Sequence, residues 1–412
     1  MSQASPIKTY FWQLAKAGIA ALGIVCISRF LGAEGRGELG LYLFYMQLAL
    51  MLVEFVAGSA VANWLAQYKP SSILPRVAFV PILVAVLLMG VLPSLNADWS
   101  LPWFLLQFVT LAYLTIQYNL YQSQGWIERR NALQGLLELL KLAGFGALIY
   151  LGLGHEDCCA DHRLSQVIQV LSVSALLVAL LSLWRTRHIW RSSWPPSPWP
   201  PGLLAEGFWA QGGHLLLYLV YRVPIWTLNQ SGHVAEAGVF ANALLVADAF
   251  WLFANSFGSV LHSRVLRSNR VSFHARLLRR YTWISVTATV MASLLLLCVP
   301  RDWFALVFGP DFAELKSRCV ELIPAILFLA ASSSLGHYLH ARGAFKALAF
   351  SYGVALLVLL LSLTVLNYTW SLDLAFAVLL VINSLQVRSR INWSGQGQKL
   401  GPLVLRWLSR RF

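Results

Sequence analysis

The chain has 412 residues, of which 58% are hydrophobic and only 12% are charged, and its formal net charge is +14 at pH 7. Soluble domains average about 45–50% apolar and about 25% charged residues. This composition excludes a soluble globular protein. A net positive charge of this size can indicate a nucleic-acid partner, so the distribution of the basic residues along the chain matters.

Apolar runs of about 20 residues follow one another along the chain, and each is long enough to cross a hydrocarbon core about 30 Å thick. The first run lacks a small-residue cleavage site, so we interpret it as a retained span and not a signal peptide. We predict twelve spans, at about 8–28, 39–66, 77–95, 101–124, 132–153, 164–184, 207–229, 236–262, 281–299, 319–340, 347–367 and 370–387.

Most of the 31 basic residues fall in loops that twelve spans would place on one side of the membrane. The largest group runs from Arg264 to Arg280. Basic loops are typical of the cytoplasmic side, so we predict that both termini are cytoplasmic (N-in, C-in). Topology and attraction to anionic membrane lipid account for the charge, and we expect no nucleic-acid partner.

A proline-rich segment, 194–201, lies near the middle of the chain. Proline at this density favours a stiff extended spacer over a helix. We therefore predict an N-terminal six-helix lobe at 1–190, a Pro/Trp-rich cytoplasmic linker at 191–204 and a C-terminal six-helix lobe at 205–387. The cytoplasmic tail, 388–412, alternates apolar and basic residues, which favours an amphipathic helix on the membrane surface.

A glycine-containing turn, followed by a second glycine late in the next span, occurs in both predicted halves. Gly40 and Gly238 are 198 positions apart, and Gly58 and Gly258 are 200 apart. Six spans per half start both halves on the same side, which is a parallel repeat with its axis along the membrane normal. The predicted fold is an all-α integral membrane protein with twelve transmembrane helices in two pseudo-twofold-related six-helix lobes.

Four ionisable residues interrupt predicted spans: Lys16, Glu54, Arg222 and Asp248. Each costs about 2.5–3.5 kcal/mol at bilayer depth, and such residues usually mark a transport path. Lys16 could instead extend to the inner headgroups, and Arg222 could form a structural ion pair. Glu54 and Asp248 either neutralise these cations or bind a coupling ion, H⁺ or Na⁺, since burial favours the protonated carboxyl.

Polar side chains also follow helical spacing within several spans. They suit either sugar rings or hydrogen bonds between helices, and both interpretations stay open. The candidate sugar-contacting residues are Tyr113, Gln117, Tyr121, Gln124, Tyr218, Asn255 and His337.

Several stretches resemble the O-antigen, or Wzx-type, polysaccharide flippases of the multidrug/oligosaccharidyl-lipid/polysaccharide (MOP) superfamily, to which the MATE transporters also belong. The matching stretches are residues 29–32 with 40–42, 236–243, 308–312 and 340–343. The Arg-Gly-Glu run at residues 36–38 departs from the family's pattern.

The resemblance implies a V-shaped, two-lobed carrier in the bacterial plasma (inner) membrane. It would flip an undecaprenyl-diphosphate-linked repeat unit to the outer leaflet by alternating access, for O-antigen, capsule or exopolysaccharide assembly. Arg222 and Lys16 would bind the diphosphate, because cations compensate its charge and arginine binds its oxygens in a bidentate manner. We expect a monomer, with a glycan polymerase or chain-length protein as possible assembly partners.

Three other functions compete with this one. They are a MATE-like cation-coupled drug antiporter, a membrane glycan polymerase or glycosyltransferase, and a lipid II flippase, which usually has fourteen spans. The sequence has no Walker loop and no Gly-x-Ser-x-Gly motif, so we expect no enzyme. We expect no cofactor and no metal, and we interpret residues 155–162 as a polar loop, because adjacent ligands cannot easily surround one ion.

Overall fold

The computed structural model describes residues 6–58, 65, 73–91, 100–151, 160–192, 203–266 and 271–395, and they are almost wholly α-helical. Most of the predicted linker and the amphipathic part of the predicted tail lie outside the described residues, as does most of the 155–162 loop.

The helices follow one another in an order close to the predicted one. They are α1 Pro6–Ala57, α2 Leu74–Val77, α3 Val80–Val91, α4 Leu101–Ser123, α5 Ile127–Tyr150, α6 Ala160–Ser192, α7 Leu203–Gln230, α8 Val234–Leu266, α9 Val271–Cys298, α10 Arg301–Phe308, α11 Leu315–Glu321, α12 Ile323–Ala341, α13 Phe345–Ser362 and α14 Tyr368–Gly395, with a 3₁₀ turn Pro310–Phe312 between α10 and α11.

Among the described residues, eight helices are long and apolar enough to cross a membrane, or nine if the bent pair Pro310–Glu321 and Ile323–Ala341 is one span. One of the eight, Ala15–Ala57, has 43 residues. A straight helix of that length would be about 65 Å long, roughly twice the hydrocarbon thickness. The twelve spans and the N-in, C-in topology therefore stay predictions.

Helix α1 is interrupted at one residue, Gly32, with φ 69° and ψ −174°. Glycine adopts this left-handed conformation without the steric cost that a Cβ carries. The predicted outer turn is thus much shorter than expected, because the chain is helical again from Ala33. We call residues 6–31 the first arm of α1 and residues 33–57 its second arm.

Contacts divide the chain into two compact units: unit 1, Met1–Ala243 with Pro300–Arg318, and unit 2, Leu244–Val299 with Cys319–Phe412. In unit 1, α6 packs on α4 and α5, and α3 packs on α4. In unit 2, α14 packs on α12 and α13, and α9 packs on α12. The same order of neighbours occurs in both units, as an internal repeat requires.

The core of unit 1 centres on α1 and α4, where the rings of Tyr42 and Phe104 meet edge to face at 5.4 Å. The outer surface is apolar as well: Leu83, Leu295 and Leu361 are each more than 60% exposed. Large exposed apolar patches are rare on soluble monomers. Such a surface suits hydrocarbon, in which helices satisfy their own backbone groups.

Candidate functional site

The second arm of α1 crosses the start of α8 with backbone against backbone. A Cβ on Gly37 would overlap the carbonyl oxygen of Val234, and a Cβ on Gly238 would overlap that of Ala33. Gly37 and Gly238 are 201 positions apart, and so are Ala33 and Val234. The contact is therefore reciprocal, and it assigns Gly37 and not Gly40 as the partner of Gly238.

Arg36 lies at this crossing and is only 5% exposed. Its Nε donates a hydrogen bond of 2.9 Å to Oδ1 of Asn242, and Nδ2 of Asn242 donates to Oγ of Ser28 at 2.9 Å. The Nη1 atom of Arg36 is buried without a hydrogen-bond partner among the described residues. A buried guanidinium group therefore retains an unused donor.

Arg222 of α7 is the second cation of this region, close enough to Arg36 for electrostatic repulsion. Its guanidinium carbon lies 6.0 Å from the ring centroid of Tyr218. Within the described part of the chain, neither arginine forms an ion pair with a carboxylate. Leaving buried charge uncompensated costs several kcal/mol. The arrangement thus favours binding of an anion.

One face of α7, which carries Tyr218, Arg222 and Asn229, contacts the second arm of α1. The hydroxyl of Tyr218 donates to the carbonyl oxygen of Phe44 at 3.3 Å. The amide of Asn229 donates to the carbonyl oxygen of Gly37 at 3.4 Å. These bonds hold α7 so that Arg222 is near Arg36.

Lys16 lies elsewhere in unit 1. Its Nζ donates to Oε1 of Gln134 on α5 at 3.1 Å, and Glu138 is its main electrostatic partner. Glu138 also forms an ion pair with Lys141, three positions further along the same helix, at 2.7 Å. The structure therefore brings Arg36, and not Lys16, beside Arg222. Arg36 falls in a loop of the predicted twelve-span topology, so nothing in the sequence marked it as a buried cation.

Glu54 is held by an amide and not by a cation. Nε2 of Gln211 donates to its Oε2 at 2.5 Å, and neither Lys16 nor Arg222 forms an ion pair with it among the described residues. The neutralisation of these cations by Glu54 is therefore not seen, while ion coupling stays a prediction. Asp248 is half-buried on α8 in unit 2.

The candidate sugar-contacting side chains of α4 mostly contact neighbouring helices. The hydroxyl of Tyr113 donates to the carbonyl oxygen of Ala78 at 2.8 Å. Oε1 of Gln117 accepts from Thr186 at 3.0 Å. Tyr121 packs on a tryptophan and is 1% exposed, and Gln124 ends the helix. These contacts match the interpretation as hydrogen bonding between helices, and the role in sugar contact stays a prediction.

In unit 2 the structure brings Asn255 and His337 together. Oδ1 of Asn255 lies 2.8 Å from Nε2 of His337, and the histidine ring packs directly against Gly258. His262 and His340 are adjacent, with ring centroids 5.1 Å apart. The described residues nevertheless contain no group of three or more His, Cys, Asp or Glu side chains that could hold a metal ion.

The fold is that of solved transporters. An inward-facing multidrug resistance MATE family transporter of the MOP superfamily superimposes with a TM-score of 0.72 at 13% identity, over 93% of this chain and 96% of that one. The chain has the fold of this MATE transporter. A MATE protein in the bent conformation gives a TM-score of 0.66 at 12% identity, covering 95% of each chain.

The lipid II flippase MurJ, in an inward closed conformation, also superimposes with a TM-score of 0.66 at 12% identity, over 94% of this chain and 87% of that one. No family model and no curated protein matches the sequence. Because one fold serves both drug transporters and a lipid flippase, the function must be argued from the site.

Proposed function

We propose that the protein is a flippase that moves an undecaprenyl-diphosphate-linked oligosaccharide from the cytoplasmic to the outer leaflet of the bacterial plasma membrane. It would act by alternating access as a monomer, and it would supply repeat units for surface polysaccharide to a polymerase or chain-length partner. The similarity in fold to the flippase MurJ supports a lipid-linked substrate.

One observation carries the proposal: Arg36 and Arg222 are neighbouring cations, and neither is paired with a carboxylate among the described residues. A diphosphate has about two negative charges and several acceptor oxygens. Two guanidinium groups can bind such a group in a bidentate manner. The free Nη1 donor of Arg36 would then gain the acceptor that it lacks.

In the predicted topology Arg36 lies in the outer loop just before the second span, and Arg222 lies in the outer half of the seventh. The pair would therefore bind the diphosphate toward the end of its passage outward. An inside-negative potential of 100 mV assists that movement by about 2.3 kcal/mol per charge. Lys16 would act as part of the packing between α1 and α5 and not as a substrate ligand.

A cation-coupled drug antiporter is the second candidate. The similarity to a multidrug MATE transporter favours it, and so does Glu54, a carboxylate within a span whose side chain is hydrogen-bonded to an amide. An organic cation would need a carboxylate at its binding site, whereas the Arg36–Arg222 pair repels cations. We therefore favour the anionic substrate.

Flipping in proteoliposomes tests the proposal. A fluorescent polyprenyl-diphosphate-linked sugar is added, and its movement is followed with a quencher that cannot cross the membrane. Arg222→Ala and Arg36→Ala should slow flipping about tenfold or more, because each removes charge-assisted hydrogen bonds. The matched control is Arg187→Ala, since Arg187 is exposed at the end of α6. Flipping at the full rate in Arg222→Ala would exclude the mechanism, and drug uptake in its place would favour the antiporter.

A further inference from the structure

Three histidines, His262, His337 and His340, meet where α8 packs on α12 in unit 2. The ring of His337 occupies the space above Gly258, where a Cβ would lie only 2.0 Å from its Cδ2 atom. Its Nε2 atom lies 2.8 Å from Oδ1 of Asn255. His337 is therefore held in place against α8, and the other two histidines lie beside this fixed contact.

His262 has a defined arrangement of its ring hydrogens. Its Nδ1 atom lies 3.3 Å from the backbone carbonyl oxygen of His337. A carbonyl oxygen only accepts hydrogen bonds, so Nδ1 of His262 carries the hydrogen. In the neutral ring the other nitrogen, Nε2, then has a lone pair and no hydrogen. Nε2 is therefore the atom at which His262 takes up a proton.

His340 lies next to His262, with ring centroids 5.1 Å apart. Its ring also packs edge to face on Phe345, at 4.9 Å. Both histidines are half-buried, so water reaches them while part of each ring is shielded from it. Histidine ordinarily changes its charge between pH 5 and 8, and two like charges at this separation repel, more strongly where water is partly excluded. The pair therefore accepts one proton more readily than two.

The five helices around this pair supply positive charge, and their carboxylates lie far from it. Charged and titratable groups at this end of unit 2 include Arg264 on α8, His274 and Tyr281 on α9, Tyr338 and Arg342 on α12, Lys346 on α13 and Arg390 on α14. The sequences of α9, α12 and α13 contain no Asp or Glu. Asp248 of α8 precedes His262 by fourteen positions, about 21 Å along the helix, and Asp373 of α14 contacts Ala325 at the opposite end of α12. A second proton on the pair thus meets no neutralising group on these helices.

We propose that His262 and His340 form a proton-binding site that controls the packing of α8 on α12. With no proton or one proton bound, the two rings stay in contact. A second proton places two like charges side by side, and the helices separate there. In the predicted topology α8 and α12 both end on the cytoplasmic side, so the site responds to acidification of the cytoplasm. This inference does not depend on the proposed flipping function.

Thermal unfolding of the full-length protein in detergent, measured from pH 8 to pH 5, tests the site. His262→Gln keeps a side-chain N–H for the carbonyl oxygen of His337 but cannot be charged, and His340→Gln is neutral as well. His340→Lys instead carries a positive charge throughout this range. The matched control is His188→Gln, since His188 is exposed on α6.

The unfolded chain binds both protons whereas the folded pair resists the second, so stability should fall as the pH falls through this range. The decrease in unfolding temperature between pH 8 and pH 5 should be about twofold or more smaller in His262→Gln and in His340→Gln, because a neutral partner removes the repulsion. The double variant should change it no further, since the two histidines act as a pair. His188→Gln and His340→Lys should keep the decrease.

Amide hydrogen exchange locates the change within the protein. At pH 5, residues 255–266 of α8 should exchange faster in the wild type than in His262→Gln, because the repulsion loosens this end of the helix in the wild type alone. The proposal is overturned if the folded glutamine variants keep the pH dependence of the wild type, if His340→Lys loses it, or if exchange in 255–266 is the same in both proteins.

Discussion

Gly238 contacts the backbone of Ala33 so closely that no side chain fits between them. The reciprocal contact of Gly37 with Val234 is what the predicted internal repeat would produce at this crossing. Because it buries Arg36 and places Asn242 within hydrogen-bond distance, the geometry of the candidate anion site depends on two glycines that carry no chemistry themselves.

Gly238→Ala should therefore destabilise the protein. Glycine to alanine in an exposed helix normally stabilises it by up to about 1 kcal/mol, but here the new methyl group overlaps backbone, at a cost of about 1–3 kcal/mol. The control is Gly146→Ala, where nothing lies within 4 Å of a new Cβ. Thermal unfolding in detergent measures both, and equal stability of the two variants would contradict the observed crossing.

Asn242→Asp should separate stability from transport. The new carboxylate would form an ion pair with Arg36, which adds charge–charge attraction to the hydrogen bond that the guanidinium group already donates at this position. We expect a higher unfolding temperature and slower flipping, since the positive charge available to an anion decreases. Asn242→Ser, which keeps a neutral acceptor, is the comparison. Faster flipping by the aspartate variant would argue against an anionic substrate.

Lys16→Met should leave the flipping rate within about twofold of the wild type. The methionine keeps most of the apolar stem while it loses the hydrogen bond to Gln134, and such a bond contributes about 1.5–3 kcal/mol of stability at most. The effect should appear in the unfolding temperature. A loss of flipping as large as that of Arg222→Ala would place Lys16 at the substrate after all.

Glu54→Gln should fold normally, because the amide of Gln211 still has an oxygen acceptor. Gln211→Leu should be less stable by about 1–3 kcal/mol, since the Glu54 carboxylate then loses its donor. If Glu54 couples transport to a cation, Glu54→Gln will lose the response to an imposed proton or sodium gradient in proteoliposomes. An unchanged response in a folded variant would remove Glu54 from the coupling mechanism.

The segment Pro300–Arg318 clusters with unit 1 although the residues on either side of it belong to unit 2. Arg29 donates to the carbonyl oxygens of Leu306 and Val307, and Arg318 pairs with Glu236 at 2.6 Å.

Reversing the charges of Arg318 and Glu236 tests how much this ion pair contributes to the stability of the protein. Arg318→Glu should cost about 0.2–1 kcal/mol, as is usual for partly exposed pairs, and Glu236→Arg with Arg318→Glu should recover it. Thermal unfolding in a double-mutant cycle measures the coupling. Zero coupling would mean that the backbone contacts of Arg29 hold the segment.

Much of the helical framework could be predicted from the sequence. Runs of apolar residues long enough to cross a bilayer predict α4 nearly to both ends and α13 to within five residues, because length and hydropathy are local properties. The pair Glu138–Lys141 and the shared face of Tyr218 and Asn229 also follow from helical spacing alone.

The candidate site could not be predicted in the same way. Whether Arg36 is buried depends on a break of one residue at Gly32 and on the approach of α8, which comes about 200 positions later in the chain. Sequence determined which segments form long apolar helices, since helical length and hydropathy depend on nearby residues. Only the tertiary structure decided which charges meet, because their distances depend on packing between helices far apart in the chain.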